Sequence, residues 1–231
     1  MEFSIEQQII HQLLLKSGEE NDIGICNGKM GLVLFFVNYS KFTRNSIYED
    51  MADELMNEIT EEIHNDLPIG FESGLSGIGW GIEYLIQKRF LEGNSLEICE
   101  EIDKKLMEKD PRRMTDYTIE TGLGGILHYV LAHMKGVREQ SGSLPFDDKY
   151  LHSLLEIASD LSQKAEISDE IKILCDKYVN FFTENSSVDY SLKISNFVEE
   201  IDLDEKKLNA YSLGLKKGLA GALFTRLNIF K

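Results

Sequence analysis

A Gly-x-x-Gly turn recurs four times in this chain, and each copy opens a strongly apolar run. The first glycines are separated by 46 residues (28 to 74), 48 (74 to 122) and 96 (122 to 218), and the last gap is twice 48. A fixed period of this size is typical of stacked helical hairpins. It also predicts a degenerate copy near residue 170, where an apolar run follows without either glycine. The four glycine-containing copies are Asn27-Gly28-Lys29-Met30-Gly31, Ser73-Gly74-Leu75-Ser76-Gly77, Thr121-Gly122-Leu123-Gly124-Gly125 and Lys217-Gly218-Leu219-Ala220-Gly221.

The stretches between the turns have helical periodicity. Residues 50–64 carry Met51, Leu55, Ile59 and Ile63 at steps of four with acids between them, which predicts a half-exposed outer helix. The runs after the glycines are apolar almost all round and predict buried inner helices. We therefore expect a single α/α repeat domain over residues 1–231. Its five hairpins would cover roughly 1–46, 47–92, 93–140, 141–186 and 187–231, with helices at 3–16, 29–42, 47–64, 75–91, 95–109, 123–135, 148–165, 169–184, 188–208 and 219–229.

Glycine suits both positions of the turn for two different reasons. It adopts positive φ, which a tight turn into a buried helix needs, and it lets another backbone come close. The residues that immediately precede three of the turns are Asn27, Ser73 and Thr121. Their side chains are good N-caps, so we expect them to satisfy orphan amides of the inner helices.

The charge of the chain excludes several classes of partner. With 24 basic and 40 acidic residues, the formal net charge is -16. Such a surface repels nucleic acid and anionic membranes, so we expect a peptide or protein partner instead. No run of apolar residues is long enough to span a membrane. The three cysteines are too few for a disulfide framework, and the N-terminal residues lack the features of a signal peptide, so we expect a cytoplasmic protein.

The repeated turn resembles that of the lanthionine synthetase C-like family, to which lantibiotic cyclases belong. Gly74-Leu75-Ser76-Gly77-Ile78-Gly79 and Gly218-Leu219-Ala220-Gly221-Ala222 are especially similar, and the likeness runs from about residue 24 to the end. The resemblance implies an α/α toroid in which the inner helices begin at one mouth of a central funnel. Typical members have seven hairpins and this chain has room for five. The resemblance therefore leaves open an arc, a smaller barrel, an incomplete ring closed by a partner, or an oligomer.

The resemblance also implies where a metal would bind. The family's cyclases hold zinc through a Cys two residues before a repeat glycine, a Cys-His pair before another, and usually a His before a third. The metal activates a peptide thiol. Here Cys26 has the first of these positions, while Glu72, Glu120 and Lys216 occupy the equivalent positions elsewhere. With two of three ligands missing, Cys26 is the one candidate metal ligand, and we expect neither a cofactor nor zinc cyclase activity.

Carboxylates hold the same register in adjacent repeats. Glu72 and Glu120 each stand two residues before a repeat glycine, and Asp116 lies in the loop just before Glu120. Converging carboxylates can serve acid–base catalysis or capture a cationic peptide, and acids at helix N-termini can also simply complement the macrodipole. Those three are the candidate catalytic residues. The candidate substrate-binding residues are Ser73, Thr121, Trp80, His128 and Asn27.

Together these observations favour a lanthionine synthetase C-like protein that binds or helps mature a ribosomally made peptide. Two alternatives stay open. One is an α/α-barrel hydrolase or lyase that uses the carboxylates, and the other is a non-catalytic interaction scaffold.

Overall fold

The computed structural model describes residues 4–63, 67–141, 144–183 and 187–229. Every regular element in them is helical, which confirms the all-α prediction. No helix of the described segments is long and apolar enough to cross a membrane. The α-helices are α1 (Ile5–Lys16), α2 (Lys29–Thr43), α3 (Ile47–Glu62), α4 (Leu75–Gln87), α5 (Ser95–Ile98), α6 (Glu100–Met107), α7 (Leu123–Ser141), α8 (Asp148–Ser162), α9 (Asp169–Thr183) and α10 (Leu219–Leu227).

The chain packs as two compact units, Met1–Asp66 with Lys193–Lys231 (unit 1) and Leu67–Leu192 (unit 2). In unit 1, α2 packs against α3 and α10, and α10 also packs against α1. Because α2 is apolar on all sides, most of its residues are buried, as an inner helix should be. The first and last segments of the chain are therefore neighbours within this unit.

Unit 2 is built around α4 and α7, which pack against each other. Every residue of α4 from Leu75 to Ile86 is buried. The short helices α5 and α6 contact α7 and α4 respectively, and α9 packs on both α7 and α8. α9 begins at Asp169, so a helix without glycines does form at the degenerate copy predicted near residue 170, but only one of its faces is buried.

The helix predicted over residues 188–208 is wrong. Residues 187–193 and 198–204 have no regular structure, and two 3-10 segments, Ile194–Phe197 and Glu205–Ala210, lie beside them. Buried and exposed residues alternate from 187 to 194, so the apolar side chains recur at every second position. That period belongs to an extended chain and not to a helix.

Candidate functional site

Two turns of unit 2 lie side by side, and we call them the turn pair of unit 2. They lead into α4 and α7 and cover residues 68–74 and 116–122. The backbone amides of Phe71 and Glu72 both donate to the Glu120 carbonyl oxygen, each at 2.9 Å. The two candidate glutamates therefore stand on backbone segments that are directly hydrogen-bonded to each other.

Unit 1 repeats this arrangement with the turns that lead into α2 and α10, which form the turn pair of unit 1. The amides of Leu215 and Lys216 both donate to the Cys26 carbonyl, at 2.8 and 2.7 Å. In each pair the acceptor stands two residues before its repeat glycine, and the donors stand three and two residues before theirs. The same register therefore recurs in both units, which is what a structural repeat requires.

Backbone carbonyls, and not side chains, cap the inner helices. In each glycine-marked turn, the first helical amide donates to the carbonyl of the residue six positions before the repeat glycine. These bonds are Lys29 to Asp22 at 2.7 Å, Leu75 to Pro68 at 2.9 Å, Leu123 to Asp116 at 3.0 Å and Leu219 to Ser212 at 2.9 Å. The N-cap residues of α2 and α4 are Gly28 and Gly74, without a side-chain cap. The N-caps predicted at Asn27 and Ser73 are therefore wrong, because each turn folds back over its own helix.

The repeat glycines are needed for this close approach. At Gly28 and Gly74, φ is -108° and -132°, so the positive φ that we expected does not occur. A Cβ atom on Gly28 would lie 2.2 Å from the Asp22 carbonyl oxygen, and one on Gly122 would lie 2.5 Å from that of Asp116. The capping carbonyl occupies the space that a side chain would need.

Asp116 organises the turn before α7. Its Oδ2 accepts from the Thr121 hydroxyl at 2.5 Å, and its Oδ1 accepts from the Thr118 hydroxyl at 2.7 Å and the Thr118 amide at 2.9 Å. The hydrogen bonds from Thr121 and then Thr118 lower the pKa of Asp116. A carboxyl group held in its ionised form is a poor proton donor at neutral pH. Asp116 stays a predicted catalytic residue that would act as a base and not as an acid, and the Thr121 hydroxyl serves Asp116 in place of the predicted cap.

The other turn residues remain at the surface. Glu72 and Glu120 are half-buried, whereas Ser73 and Thr121 are exposed. In unit 1, Asn27 is half-buried beside the buried Cys26. The turn pair of unit 2 thus brings together five of the residues that the sequence singled out, Glu72, Ser73, Asp116, Glu120 and Thr121.

Trp80 and His128 are core residues, which corrects their assignment to substrate binding. Their exposed fractions are 0 % and 4 %. Trp80 Nε1 donates to the Tyr190 hydroxyl at 2.8 Å, and that hydroxyl lies 2.6 Å from His128 Nδ1. Since Tyr190 Oη accepts a hydrogen bond from the indole N–H, its own O–H can donate a hydrogen bond to a neutral imidazole. Tyr190 lies in the extended segment 187–193, where the sequence predicts a helix, so the sequence does not predict this link.

Burial of His128 gives unit 2 a pH-dependent stability. Burial lowers the pKa of His128 to about 4, whereas an unfolded chain has a histidine pKa of about 6.5. As the pH falls below 6.5, the unfolded chain takes up a proton that folded His128 does not, so stability is lost. We expect this group to remove about 2 kcal/mol of stability between pH 7.5 and pH 5.

The His128→Asn variant tests this expectation, because asparagine can accept the Tyr190 hydrogen bond but does not titrate. Urea unfolding at several pH values should show a shallower loss of stability in the variant than in the wild type. The same change at His152, whose ring is exposed, serves as the control and should keep the wild-type slope. Parallel pH profiles for His128→Asn and wild type would contradict the assignment.

The residues around Cys26 do not fit the zinc centre that the family's cyclases have. The neighbouring turn of the same unit supplies Lys216 at the matching register, and its amide is bound to the Cys26 carbonyl. A lysine at this place brings a positive charge where the cyclases have a zinc ligand. Lys217 follows and pairs with Glu199 at 3.1 Å. No step of the protein's function is therefore assigned to a metal at Cys26.

Sequence reasoning missed a buried polar cluster in unit 2. His133 on α7 has an exposed fraction of 0 %, and it lies between Glu83 on α4 and Asp103 on α6, at 0 % and 6 %. Its Nδ1 donates to Glu83 Oε1 at 2.6 Å, and its Nε2 donates to Asp103 Oδ2 at 2.9 Å. Tyr129 Oη donates to Asp103 Oδ1 at 2.6 Å, and Gln87 Nε2 donates to Glu83 Oε2 at 2.7 Å. The sequence does carry one signal of this cluster, a single acid within the apolar run 75–86.

The charges of this cluster follow from its contacts. Burial alone would lower the pKa of His133, but hydrogen bonds to Asp103 and Glu83 outweigh burial and raise that pKa to about 9. Cys99 is fully buried nearby, and burial together with the charges of Glu83 and Asp103 raises the pKa of its thiol well above the usual value. The cluster thus holds an imidazolium between two carboxylates beside a neutral thiol.

The comparisons with known proteins agree with the repeat geometry. A family model described as lanthionine synthetase C-like protein matches residues 19–231. No curated protein and no solved structure matches the chain. Because the family model covers nearly all of the sequence, this chain belongs to the lanthionine synthetase C-like family.

Proposed function

We propose that this protein binds a ribosomally made peptide at its paired turns and assists its maturation without the family's zinc cyclase chemistry. The observation that carries the proposal is the turn pair of unit 2, where backbone hydrogen bonds from Phe71 and Glu72 to Glu120 hold two glutamates together. Family membership supports a peptide as the ligand. Among the residues that the structure describes, no group of potential zinc ligands includes Cys26, which argues against the cyclase reaction.

The chemistry of the turn pair favours a cationic segment of peptide. Glu72 and Glu120 are half-buried, so each carboxylate is partly shielded from solvent and interacts more strongly with a cation than a fully exposed one. The exposed Ser73 hydroxyl lies next to Glu72 in sequence and can bind peptide groups. The exposed Thr121 hydroxyl donates to Asp116 and keeps its oxygen as an acceptor for a peptide N–H. The formal net charge of -16 adds attraction at long range. Asn27 occupies the equivalent edge of the turn pair of unit 1, where we propose a secondary contact.

A peptide-binding measurement tests this proposal. We expect a short, fluorescein-labelled, lysine-rich peptide to bind the full chain, and a matched peptide with glutamate at each lysine position not to bind. The double variant Glu72→Gln and Glu120→Gln should weaken binding by roughly five- to thirty-fold, since each half-exposed carboxylate contributes up to about 1 kcal/mol. Fluorescence anisotropy at low and physiological ionic strength provides the affinities.

A second double variant separates local contact from net charge. Glu92 and Glu139 are exposed; Glu92 lies five residues after the C-terminal end of α4, and Glu139 lies in the last turn of α7. Changing both to Gln removes the same charge and should leave the affinity close to that of the wild type. Equal weakening by both double variants would mean that the peptide senses only the net charge, and the proposed site would then be incorrect.

The catalytic alternative has less support than peptide binding. An α/α hydrolase or lyase that uses carboxyl groups for acid–base catalysis would need a protonated one among the candidates Glu72, Glu120 and Asp116. Asp116 is committed to the hydroxyls of Thr118 and Thr121 and stays ionised. We therefore propose a binding role. We also propose a reducing compartment, because Cys26, Cys99 and Cys175 are free, buried thiols.

A further inference from the structure

We propose that Glu83, Cys99 and His133 bind one zinc ion in the interior of unit 2. This inference goes beyond the proposed peptide-binding function and concerns different residues. The three side chains come from α4, from the junction of α5 and α6, and from α7. They place one oxygen, one sulfur and one nitrogen atom within 4.8 Å of one another, and all three residues are buried.

The spacing and the chemistry of these atoms suit zinc. Zinc binds thiolate, imidazole and carboxylate ligands at about 2.0–2.3 Å, which puts the ligand atoms of a tetrahedral site about 3.3–3.7 Å apart. His133 Nδ1 and Glu83 Oε1 are 2.6 Å apart with a proton between them, so they would separate by less than about 1 Å when the ion replaces that proton. A mixed sulfur, nitrogen and oxygen set favours zinc over magnesium or calcium, which prefer oxygen alone.

The surroundings have the second-shell bonds that metal ligands need. A metal-binding histidine almost always donates its other ring N–H to a carboxylate or carbonyl oxygen. His133 Nε2 donates to Asp103 Oδ2 at 2.9 Å, and Asp103 is itself held by the Tyr129 hydroxyl at 2.6 Å. Gln87 holds the second oxygen of Glu83 at 2.7 Å. The orientation of two ligands is therefore fixed before any ion binds.

Two backbone features make room for this arrangement. The outer helix predicted over 95–109 is interrupted at Cys99, where φ is -93° and ψ is 1°. The interruption separates α5 from α6 and coincides with the one cysteine of the cluster. On α7, a Cβ atom on Gly136 would lie 2.2 Å from Glu83 Oε2, so the glycine leaves the space that the carboxylate occupies. Glycine in a helix interior lowers stability by about 1 kcal/mol relative to alanine. The space that the Glu83 carboxylate needs explains why glycine is nevertheless present at residue 136.

The proton and charge balance of the step is simple. Zinc displaces one proton from His133 and one from the Cys99 thiol, and both protons leave to solvent. The ion, the Glu83 carboxylate and the Cys99 thiolate then sum to zero charge around a neutral imidazole. The Ser95 hydroxyl donates to Glu83 Oε1 and lies 3.2 Å from His133 Nδ1, so it is in position to be the fourth ligand. A closed site of this kind, with no open position, is structural and ties four helices together.

Metal analysis and cobalt substitution test the site on the full chain purified without a histidine tag. We expect about one zinc ion per chain by mass spectrometry. After a chelator has removed the zinc, added Co²⁺ should produce a thiolate-to-cobalt charge-transfer band. Cys99→Ser should abolish that band, whereas Asp103→Asn should keep it with roughly ten- to hundred-fold weaker affinity. Cys175→Ser is the matched control, because Cys175 is a buried cysteine of the same unit outside the cluster.

The Cys26→Ser variant distinguishes this site from the place where the family's cyclases bind zinc. It should retain the cobalt band, whatever its effect on peptide binding. A band that is lost in Cys26→Ser and kept in Cys99→Ser would overturn the proposal, and so would a wild-type protein that takes up neither metal. If Cys99→Ser fails to fold, X-ray absorption of the wild-type zinc protein decides the question. One sulfur among nitrogen and oxygen ligands is expected, and a shell without sulfur would overturn it.

Discussion

Alanine at Gly28 or at Gly122 is expected to lower the free energy of unfolding by about 3 kcal/mol or more. In both positions the new Cβ atom would meet a backbone carbonyl, that of Asp22 at 2.2 Å or that of Asp116 at 2.5 Å. A backbone atom cannot rotate away as a side chain can, so the turn must open. Opening it also breaks the hydrogen bond that caps the inner helix.

Urea unfolding provides the measurement, and Gly18→Ala provides the control. No atom lies within 4 Å of a Cβ placed on Gly18, so alanine there should change stability by no more than about 0.5 kcal/mol. Trp80 is the one tryptophan of the chain, and its fluorescence reports on unit 2 and hence on Gly122→Ala. Circular dichroism follows Gly28→Ala. If all three variants were equally stable, the folded-back turns would be an incorrect description.

Phenylalanine at Tyr190 is expected to cost about 2–3 kcal/mol. The change removes a single hydroxyl that hydrogen-bonds both Trp80 and His128 in the core of unit 2. Each of these bonds is buried, and loss of a buried partner costs about 1–3 kcal/mol. The ring of Tyr190 itself is retained, so packing changes little.

Tyr211→Phe is the matched control for this prediction. The Tyr211 hydroxyl also makes two hydrogen bonds, to the Asp202 carbonyl and from the Asp204 amide, but both of these bonds are exposed to solvent. Water can replace it there, so we expect a loss below about 1 kcal/mol. Equal effects of the two changes, followed by urea unfolding, would show that the Tyr190 hydroxyl is not the buried link described above.

The glycine repeat was sufficient to predict where the inner helices begin. The four helices that follow glycine turns start at the predicted residues 29, 75, 123 and 219. The prediction succeeds because each turn folds back on its helix and brings a backbone carbonyl to the place where a Cβ atom would lie. Only glycine fits there, so glycine marks the start of the helix. The assignment of caps to Asn27 and Ser73 failed for the same reason, since a folded-back turn satisfies the amides with its own carbonyls.

Other features could not be predicted because they depend on contacts between distant residues. His133 meets Glu83 and Asp103 across 50 and 30 positions of sequence, and no local pattern pairs them. Trp80 meets Tyr190 across 110 positions. Apolar residues around Tyr190 recur at every second position of the sequence, which is typical of an extended chain. The repeat period nevertheless predicts a fifth complete hairpin, and hence a helix, at this place. Turn residues such as Glu72 and Glu120 were identified because their register is set by the repeat itself.

The side-by-side placement of the repeat turns is the claim on which the rest depends, and backbone nuclear Overhauser effects test it directly. We predict contacts from the amide proton of Glu72 to protons of Glu120 and Thr121, and from that of Lys216 to protons of Cys26 and Asn27. Sequential amide contacts within α2 and α4, recorded on the same sample, provide the internal standard. If the helical contacts were present and both sets between turns were missing, the paired turns and the peptide site proposed on them would be contradicted.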